Sequence, residues 1–243
     1  MPSSELFKSR DGTEFRLLPV PFCEYCSMPL SESFGVWGRC WRCNKRFREI
    51  TRGNPFEVPD SPYKFRKAAA AGLYITDYPE KGSIGRLIKA IKTGGGGCDV
   101  LSEAIAHVLR TRYADISWDI IVHVPASPGK KISPAGRLAL ALAKETRTAV
   151  ASVLELDPSY ESDQGLPEAQ KFDNMRDKVR VASSAEIVGR KILLVDDVMT
   201  TRGSAHWCSE ELLKAGAIGV NVAVAGRSVD MRDLEFIGYA GPL

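Results

Sequence analysis

Apolar and polar positions along this chain follow two periods. The run KILLVDD, Lys191 to Asp197, is continuous oil closed by two acids, the pattern of a strand buried on both faces of a parallel sheet. SAHWCSEELLKAGA follows, with Ala205, Cys208, Leu212 and Ala215 on one helical face and Gly216 suited to the C-terminal end. GVNVAVAGRS predicts the next strand. Strand, helix, strand with short connections is a βαβ unit of an open parallel sheet. Upstream, DIIVHVPAS predicts a buried strand ending at Pro125, AGRLALALAKE a helix, and ASVLEL is a further strand candidate. Ile84, Leu87, Ile88 and Ile91 mark one face of a short helix stopped by glycines; Val100, Leu101, Ile105, Val108 and Leu109 mark a second.

The pattern changes near residue 55. Before it stand four cysteines in two CxxC pairs, Trp37, Trp41 and many arginines. GNPFEVPDSP, Gly53 to Pro62, holds three prolines and reads as a linker. The expected organisation is a small N-terminal domain at 1–55, a linker at 56–62 and an α/β domain at 63–243. The stretch from Asp157 to Arg180 is polar and lacks a sustained apolar period. A loop this long in a compact domain is usually functional or disordered, and we expect a lid.

Composition narrows the classes. With 33 basic against 30 acidic side chains the net charge is +3, so any attraction to a polyanion has to be local. No apolar run is long enough to cross a bilayer, and MPSSELFKSRDGTEF lacks the basic-then-apolar order of a signal peptide. The expectation is a cytoplasmic protein, where paired cysteines favour metal over disulfide.

Cys23-x2-Cys26 and Cys40-x2-Cys43 are separated by thirteen residues. Four thiolates in two short knuckles close a tetrahedron around Zn²⁺ and leave no position for a reactive water, so the expected zinc is structural. Gly35 and Gly38 help the intervening chain reverse. Arg39, Arg42, Lys45, Arg46, Arg48 and Arg52 surround the second knuckle, interleaved with Trp37, Trp41 and Phe47. Cations beside aromatic faces suit single-stranded nucleic acid. They equally suit a solvated face over aromatics packed on the metal site.

Asp196 and Asp197 are followed at once by Thr200, Thr201, Arg202, Gly203 and Ser204. A helix N-terminus after a strand offers unpaired N–H groups and the positive end of the helix dipole. Hydroxyls from Thr200, Thr201 and Ser204 and close approach at Gly203 complete an anion cup. Carboxylates beside such a cup repel a phosphate and must face something else, and vicinal hydroxyls of a ribose fit. Neither GxxxxGK[ST] nor GxGxxG is present, which excludes a P-loop and a dinucleotide fingerprint. A structural cap is the remaining alternative.

The stretch LLVDDVMTT resembles the phosphoribosyl-pyrophosphate motif of type I phosphoribosyltransferases. With the two CxxC pairs it resembles more narrowly the ComF-like proteins, the competence-associated branch with an N-terminal zinc ribbon. LIKAIKTGG, with Lys92 at the family's lysine, IIVHVPASPGKK and QGLPEAQKFDNMR, with Asn174 matching, extend the likeness along most of the chain. It implies a Rossmann-like α/β fold with a parallel sheet behind a small zinc ribbon. It implies a ligand, 5-phosphoribosyl 1-pyrophosphate with Mg²⁺, and transfer of the ribosyl C1 to a nitrogen nucleophile. Asp196 and Asp197 would hold ribose hydroxyls, Thr200, Thr201, Gly203 and Ser204 the 5-phosphate, and Ser127, Gly129 and Lys130 the diphosphate. The alternative it carries is a non-catalytic adaptor in DNA uptake, contacting single-stranded DNA or a DNA-processing protein through the ribbon.

Two stretches depart from the family pattern. Arg202 takes the first glycine's place in the Thr-Thr-Gly loop, and SPAGR at 133–137 stands where Arg-Gly-Phe-Asn-Gln is usual. The expectation at Arg202 is that Gly203 absorbs a left-handed turn, leaving the guanidinium to pair with the phosphate.

Overall fold

The computed structural model describes residues 5–30, 38–52, 59–76, 84–130, 133–161, 165–236 and 238. Gly35, Trp37, Gln164 of the QGLPEAQKFDNMR stretch, and positions 56–58 of the expected linker lie outside them.

A short hairpin opens the chain. Strands β1 (Leu6–Lys8) and β2 (Glu14–Arg16) pair antiparallel, with Phe7 opposite Phe15. Both rings are buried, 5.3 Å apart. The first cysteine pair forms a knuckle in which Cys23 N donates to Met28 O and Ser27 N to Cys23 O. The second pair opens helix α1 (Trp41–Thr51), capped by Cys40, whose sulfur accepts from Cys43 N.

The remaining elements alternate. They are β3 (Ala68–Ile75), α2 (Gly85–Lys92), α3 (Cys98–Arg112), β4 (Ile120–His123), α4 (Pro134–Thr146) and β5 (Val150–Ala151). After them come β6 (Leu154–Leu156), α5 (Glu168–Lys171), β7 (Val179–Val181), β8 (Lys191–Met199), α6 (Gly203–Lys214), β9 (Gly219–Val229) and α7 (Met231–Phe236). Five strands form one parallel sheet in the order β3-β9-β8-β4-β5. β8, α6 and β9 are the βαβ unit expected from the apolar pattern.

The sheet is covered on both faces, which is why its strands read as unbroken oil. Along β8, Leu193 and Val195 face a cluster built from α2, α3, α4 and the N-terminal hairpin. Ile192 and Leu194 face the other way, into a cluster with α6 and all four paired cysteines. The cysteine knuckles therefore share one continuous core with the sheet. Ser27 Oγ ties them to it by donating to Ala68 O at 2.5 Å, beside Tyr113 OH, which donates to the same carbonyl at 2.9 Å. The alanines of β3 keep this strand thin between the two layers, with Ala68 and Ala70 in one cluster and Ala69 and Ala71 in the other.

The departure at 133–137 has a local cause. Ser133 Oγ accepts Gly136 N at 3.0 Å, Pro134 takes the first turn, and SPAGR becomes the capped start of α4. Arg137 then reaches Gly95 O at 2.8 Å and Ile91 O at 3.3 Å, closing the C-terminal end of α2.

Candidate functional site

All parallel strands deliver their C-terminal ends to one rim, and the open α/β architecture binds ligands there. β8 is paired with β9 through Asp196 and as far as Met199, so the two acids lie within the strand's last turn of pleat rather than beyond it. Successive strand residues point to opposite faces. Asp197 falls on the α2 side, where Lys92 Nζ meets its Oδ2 at 3.4 Å. Asp196 falls on the α6 side and lines the small cavity under the following loop. Each carboxylate also accepts the next backbone N–H, Asp196 Oδ1 from Asp197 N at 2.8 Å and Asp197 Oδ1 from Val198 N at 2.9 Å. Burial, and secondarily the charge of Asp197, push the Asp196 carboxyl well above the usual carboxylate range.

The cavity is lined by Asp196, Val198, Met199, Thr200, Arg202, Gly203, Ser204, Ala205 and Val224. Among the described residues, the N–H groups of Thr200 through Ser204 have no protein acceptor. That is the open donor array an anion cup needs. The left-handed residue of the loop is Arg202 itself, at φ 72, so the turn has not shifted onto Gly203. Gly203 serves closeness instead: a Cβ there would stand 2.4 Å from Phe172 O. The Arg202 guanidinium also differs from expectation. Its Nε donates to Thr201 O at 2.8 Å, its Nη1 is enclosed, and its carbon lies 6.0 Å from the centre of the Tyr63 ring. The side chain is turned toward the interior.

Arg227 on β9 carries weight the sequence reading did not assign it. It is wholly buried and donates from Nη1 to the carbonyls of both Met199 and Thr200. The available signal was a lone cation in the apolar strand VNVAVAGRSV.

The polar stretch at 157–180 is built rather than loose where it is described. β6 and β7 pair antiparallel, a feature periodicity did not announce. Phe172 docks on α6 through its carbonyl, which accepts Trp207 Nε1 at 2.8 Å. Arg46 of α1 lies 4.2 Å over the Phe172 ring, and Arg176 lies 4.5 Å over Trp207. This arm forms a hood beside the loop at 200–204. His206, enclosed under the same aromatics, is held neutral down to about 3 by burial and by Arg46, Lys64 and Arg176. Its Nδ1 accepts Lys64 N at 3.2 Å.

Ser127, Gly129 and Lys130 leave the neighbouring strand β4 at the same rim. They form a turn in which Lys130 N donates to Ser127 O at 3.1 Å and Gly129 takes φ 77. They do not line the cavity under Asp196. Asn174 is not among the residues lining that cavity and donates to Glu161 O at 3.1 Å.

The sulfurs of Cys23, Cys26, Cys40 and Cys43 lie within 4.8 Å of one another and are all buried. A tetrahedron of thiolates about 2.3 Å from Zn²⁺ has edges of about 3.8 Å, and Cys26 and Cys40 are 3.6 Å apart. The four residues fit a closed structural centre. Of the cations around it, Arg39 stacks 4.3 Å over Phe47, Arg42 pairs with Asp233 at 3.3 Å and Arg46 donates to Pro62 O at 2.8 Å. These three are engaged inside the fold, while Trp41, Lys45, Arg48 and Arg52 are exposed. Among the described residues no helix is long and apolar enough to cross a membrane.

No family model matches the chain, and no curated protein matches it. Among solved structures it is similar to the adenine phosphoribosyltransferase from Thermoanaerobacter pseudethanolicus, with 15% identity over 61% of this chain and 86% of that one and a TM-score of 0.39. It is similar to the purine phosphoribosyltransferase from Pyrococcus horikoshii at 16% identity, 54% and 85% coverage and a TM-score of 0.34. It also resembles the glutamine phosphoribosylpyrophosphate amidotransferase from B. subtilis at 18% identity and a TM-score of 0.35, covering 52% of this chain and spanning a quarter (25%) of that enzyme.

Proposed function

We propose that the protein binds 5-phosphoribosyl 1-pyrophosphate, or a related ribose 5-phosphate, at the rim where β8 meets α6, as a ComF-like phosphoribosyltransferase. The observation that carries this reading is the open donor array from Thr200 to Ser204 beside two carboxyls on diverging faces of one strand end. The amides and hydroxyls of Thr200, Thr201, Gly203 and Ser204 take the 5-phosphate. With the sugar lying across the end of β8, Asp196 accepts from one ribose hydroxyl on the cavity side and Asp197, held in place by Lys92, accepts from the other. Ser127, Gly129 and Lys130, on the next strand's loop, face the diphosphate.

Mg²⁺ fits this arrangement only as a partner of the ligand's phosphates. Among the described residues the four cysteines are the one cluster of potential metal ligands, and Asp197 is already engaged by Lys92. When bound with the diphosphate, Mg²⁺ supplies neutralisation of the leaving group's charge. The chain's own part is electrostatic: the Asp197 carboxylate, joined by Asp196 where it is ionised, stabilises positive charge developing at C1, and the hood over α6 limits water.

Calorimetric titration with phosphoribosyl pyrophosphate and Mg²⁺, followed by a pyrophosphate-release assay over a nucleobase panel, tests the reading. Wild type binds, and Asp197→Asn weakens binding by about tenfold or more, the loss of a charge-assisted hydrogen bond. Wild type without measurable binding sinks it.

Asp196 adds a pH signature. Its carboxyl holds a proton where an ordinary carboxylate has lost it, and the ionised form is the stronger acceptor for a ribose hydroxyl. Affinity for ribose 5-phosphate therefore rises with pH through that raised value. As pH is raised above the ordinary carboxylate range, the rise is steeper in wild type than in Asp196→Asn, which retains only the ligand's own titration. Superimposable pH profiles count against the role of Asp196.

A second reading is favoured by one surface feature. Trp41, Lys45 and Arg48 lie along one exposed stripe of α1, with Arg52 at its end. An aromatic face among cations suits single-stranded DNA, as an adaptor in DNA uptake requires. Triple replacement of Trp41, Lys45 and Arg48 by Ala then abolishes a salt-dependent shift in a single-stranded DNA binding assay. Unchanged binding in the triple variant, or none in wild type at low salt, removes this reading.

A further inference from the structure

Two guanidinium groups are enclosed between the loop at 199–204 and the cysteine centre. Arg227 is completely buried, and its Nε and Nη2 have no hydrogen-bond partner among the described residues; nor does the enclosed Nη1 of Arg202. Two buried cations with unpaired N–H groups are strongly unfavourable unless a counter-charge lies near. Asp233, the acid in reach of Arg227, is already engaged by Arg42. Attraction of the opposite sign comes from the Tyr63 hydroxyl and then the sulfurs of Cys26, Cys43 and Cys40 for Arg202, and from the sulfurs of Cys26 and Cys40 for Arg227. Tyr63 spans the gap, its hydroxyl 3.6 Å from Cys43 Sγ and its ring under Arg202.

Four thiolates around a divalent ion leave a net charge of about minus two, and two guanidinium groups match it. The same groups grip the loop. Arg227 takes the carbonyls of Met199 and Thr200, and Arg202 takes that of Thr201. In a trans peptide the carbonyl and the following N–H point in opposite directions. Holding these three carbonyls on the core side therefore turns the N–H groups of Thr200, Thr201 and Arg202 outward. The left-handed backbone of Arg202 is explained too: it delivers the side chain inward, which glycine at this position could not do.

We propose that Arg202 and Arg227 are the counter-charges of a metal–tetrathiolate centre, and that through them the loaded centre sets the donor array of the anion-binding loop. They are positioning residues. The loop half of this inference rests on the sugar-phosphate reading; the counter-charge half does not.

The test uses the full-length zinc-loaded chain. Zinc affinity is measured by competition with a chromophoric chelator, with and without ribose 5-phosphate, and folding is followed by circular dichroism. Arg202→Met and Arg227→Met each lower zinc affinity by about 10–100-fold, the range for groups that support metal ligands. Arg227→Lys keeps most of it, and Arg190→Gln, an exposed cation elsewhere, changes nothing. By linkage, ribose 5-phosphate raises wild-type zinc affinity, and by the same factor zinc raises affinity for ribose 5-phosphate; both Met variants lose this coupling. If Arg227→Met fails to fold, Arg202→Met decides alone. Wild-type zinc affinity in the Met variants overturns the counter-charge role. Ribose 5-phosphate that binds equally with and without zinc overturns the coupling. No binding of ribose 5-phosphate to wild type refutes the ligand reading and with it the loop half, while the zinc measurement still decides the counter-charges.

Discussion

Cys40→Ser yields a protein that carries no zinc and does not hold its fold, whereas the wild type carries about one Zn²⁺ per chain. The effect is large for two reasons. Structural zinc contributes about 10–16 kcal/mol of apparent binding free energy in small peptides, while a whole domain is stable by about 5–15 kcal/mol. And the cysteines are not set apart: they share a hydrophobic cluster with β3, β8 and β9, and Ser27 is bonded to the first residue of β3. Loss of the centre therefore loosens the sheet as well as the knuckles. Cys40 also caps α1, but serine is itself a good N-cap, so Cys40→Ser isolates the loss of the metal ligand. Metal analysis and a thermal melt followed at the sheet's far-UV signal measure this. A metal-free variant melting like wild type, or a wild type loaded with iron, refutes the zinc assignment.

Gly203→Ala gives the second large effect, and there the cause is space. The added methyl would stand 2.4 Å from Phe172 O and 2.9 Å from its Cα, both backbone, so the hood or the loop has to move. Overpacking of this kind costs about 1–3 kcal/mol. The same movement strips Trp207 Nε1 of its acceptor and displaces the donors of Thr201 to Ser204. Urea denaturation shows the lost stability, and titration with ribose 5-phosphate shows binding weakened by more than tenfold, by the conversion of about 1.4 kcal/mol to each decade. Gly129→Ala separates this from backbone strain. Nothing lies within 4 Å of a Cβ there, but φ is +77, so it costs roughly 1 kcal/mol in the turn without touching the hood. Wild-type stability and affinity in Gly203→Ala would rule out the close packing on which the loop geometry depends.

Much of the architecture was legible because it depends on local period. An unbroken apolar run such as ILLV has only a doubly covered strand to occupy, and the helical faces at Ile84–Ile91 and Ala205–Leu212 specify which side each helix buries. The two CxxC pairs were legible because the chemistry of four thiolates is carried by residue type and spacing. The acids near the end of β8 and the hydroxyls that follow it stood out by residue type and order in the same way.

What stayed hidden depends on distant partners. AAAAGLYI does not read as a strand, since alanine has little preference for one; it becomes β3 because a thin strand fits between the cysteine knuckles and α3. VRV at 179–181 is too short to show a period and becomes a strand only by pairing with β6. The basic cluster around the second knuckle reads alike whether its charges are solvated or engaged. Only packing decides that Arg39, Arg42 and Arg46 are spent on Phe47, Asp233 and Pro62 while Lys45 and Arg48 stay in water. The same holds at the rim. Residue order put Asp196 beside Asp197, but strand alternation and Lys92 sent their carboxyls to opposite faces. Arg202 was marked by its place in the motif, yet its guanidinium lies over Tyr63, a residue more than a hundred positions away along the chain and adjacent only once the core has formed.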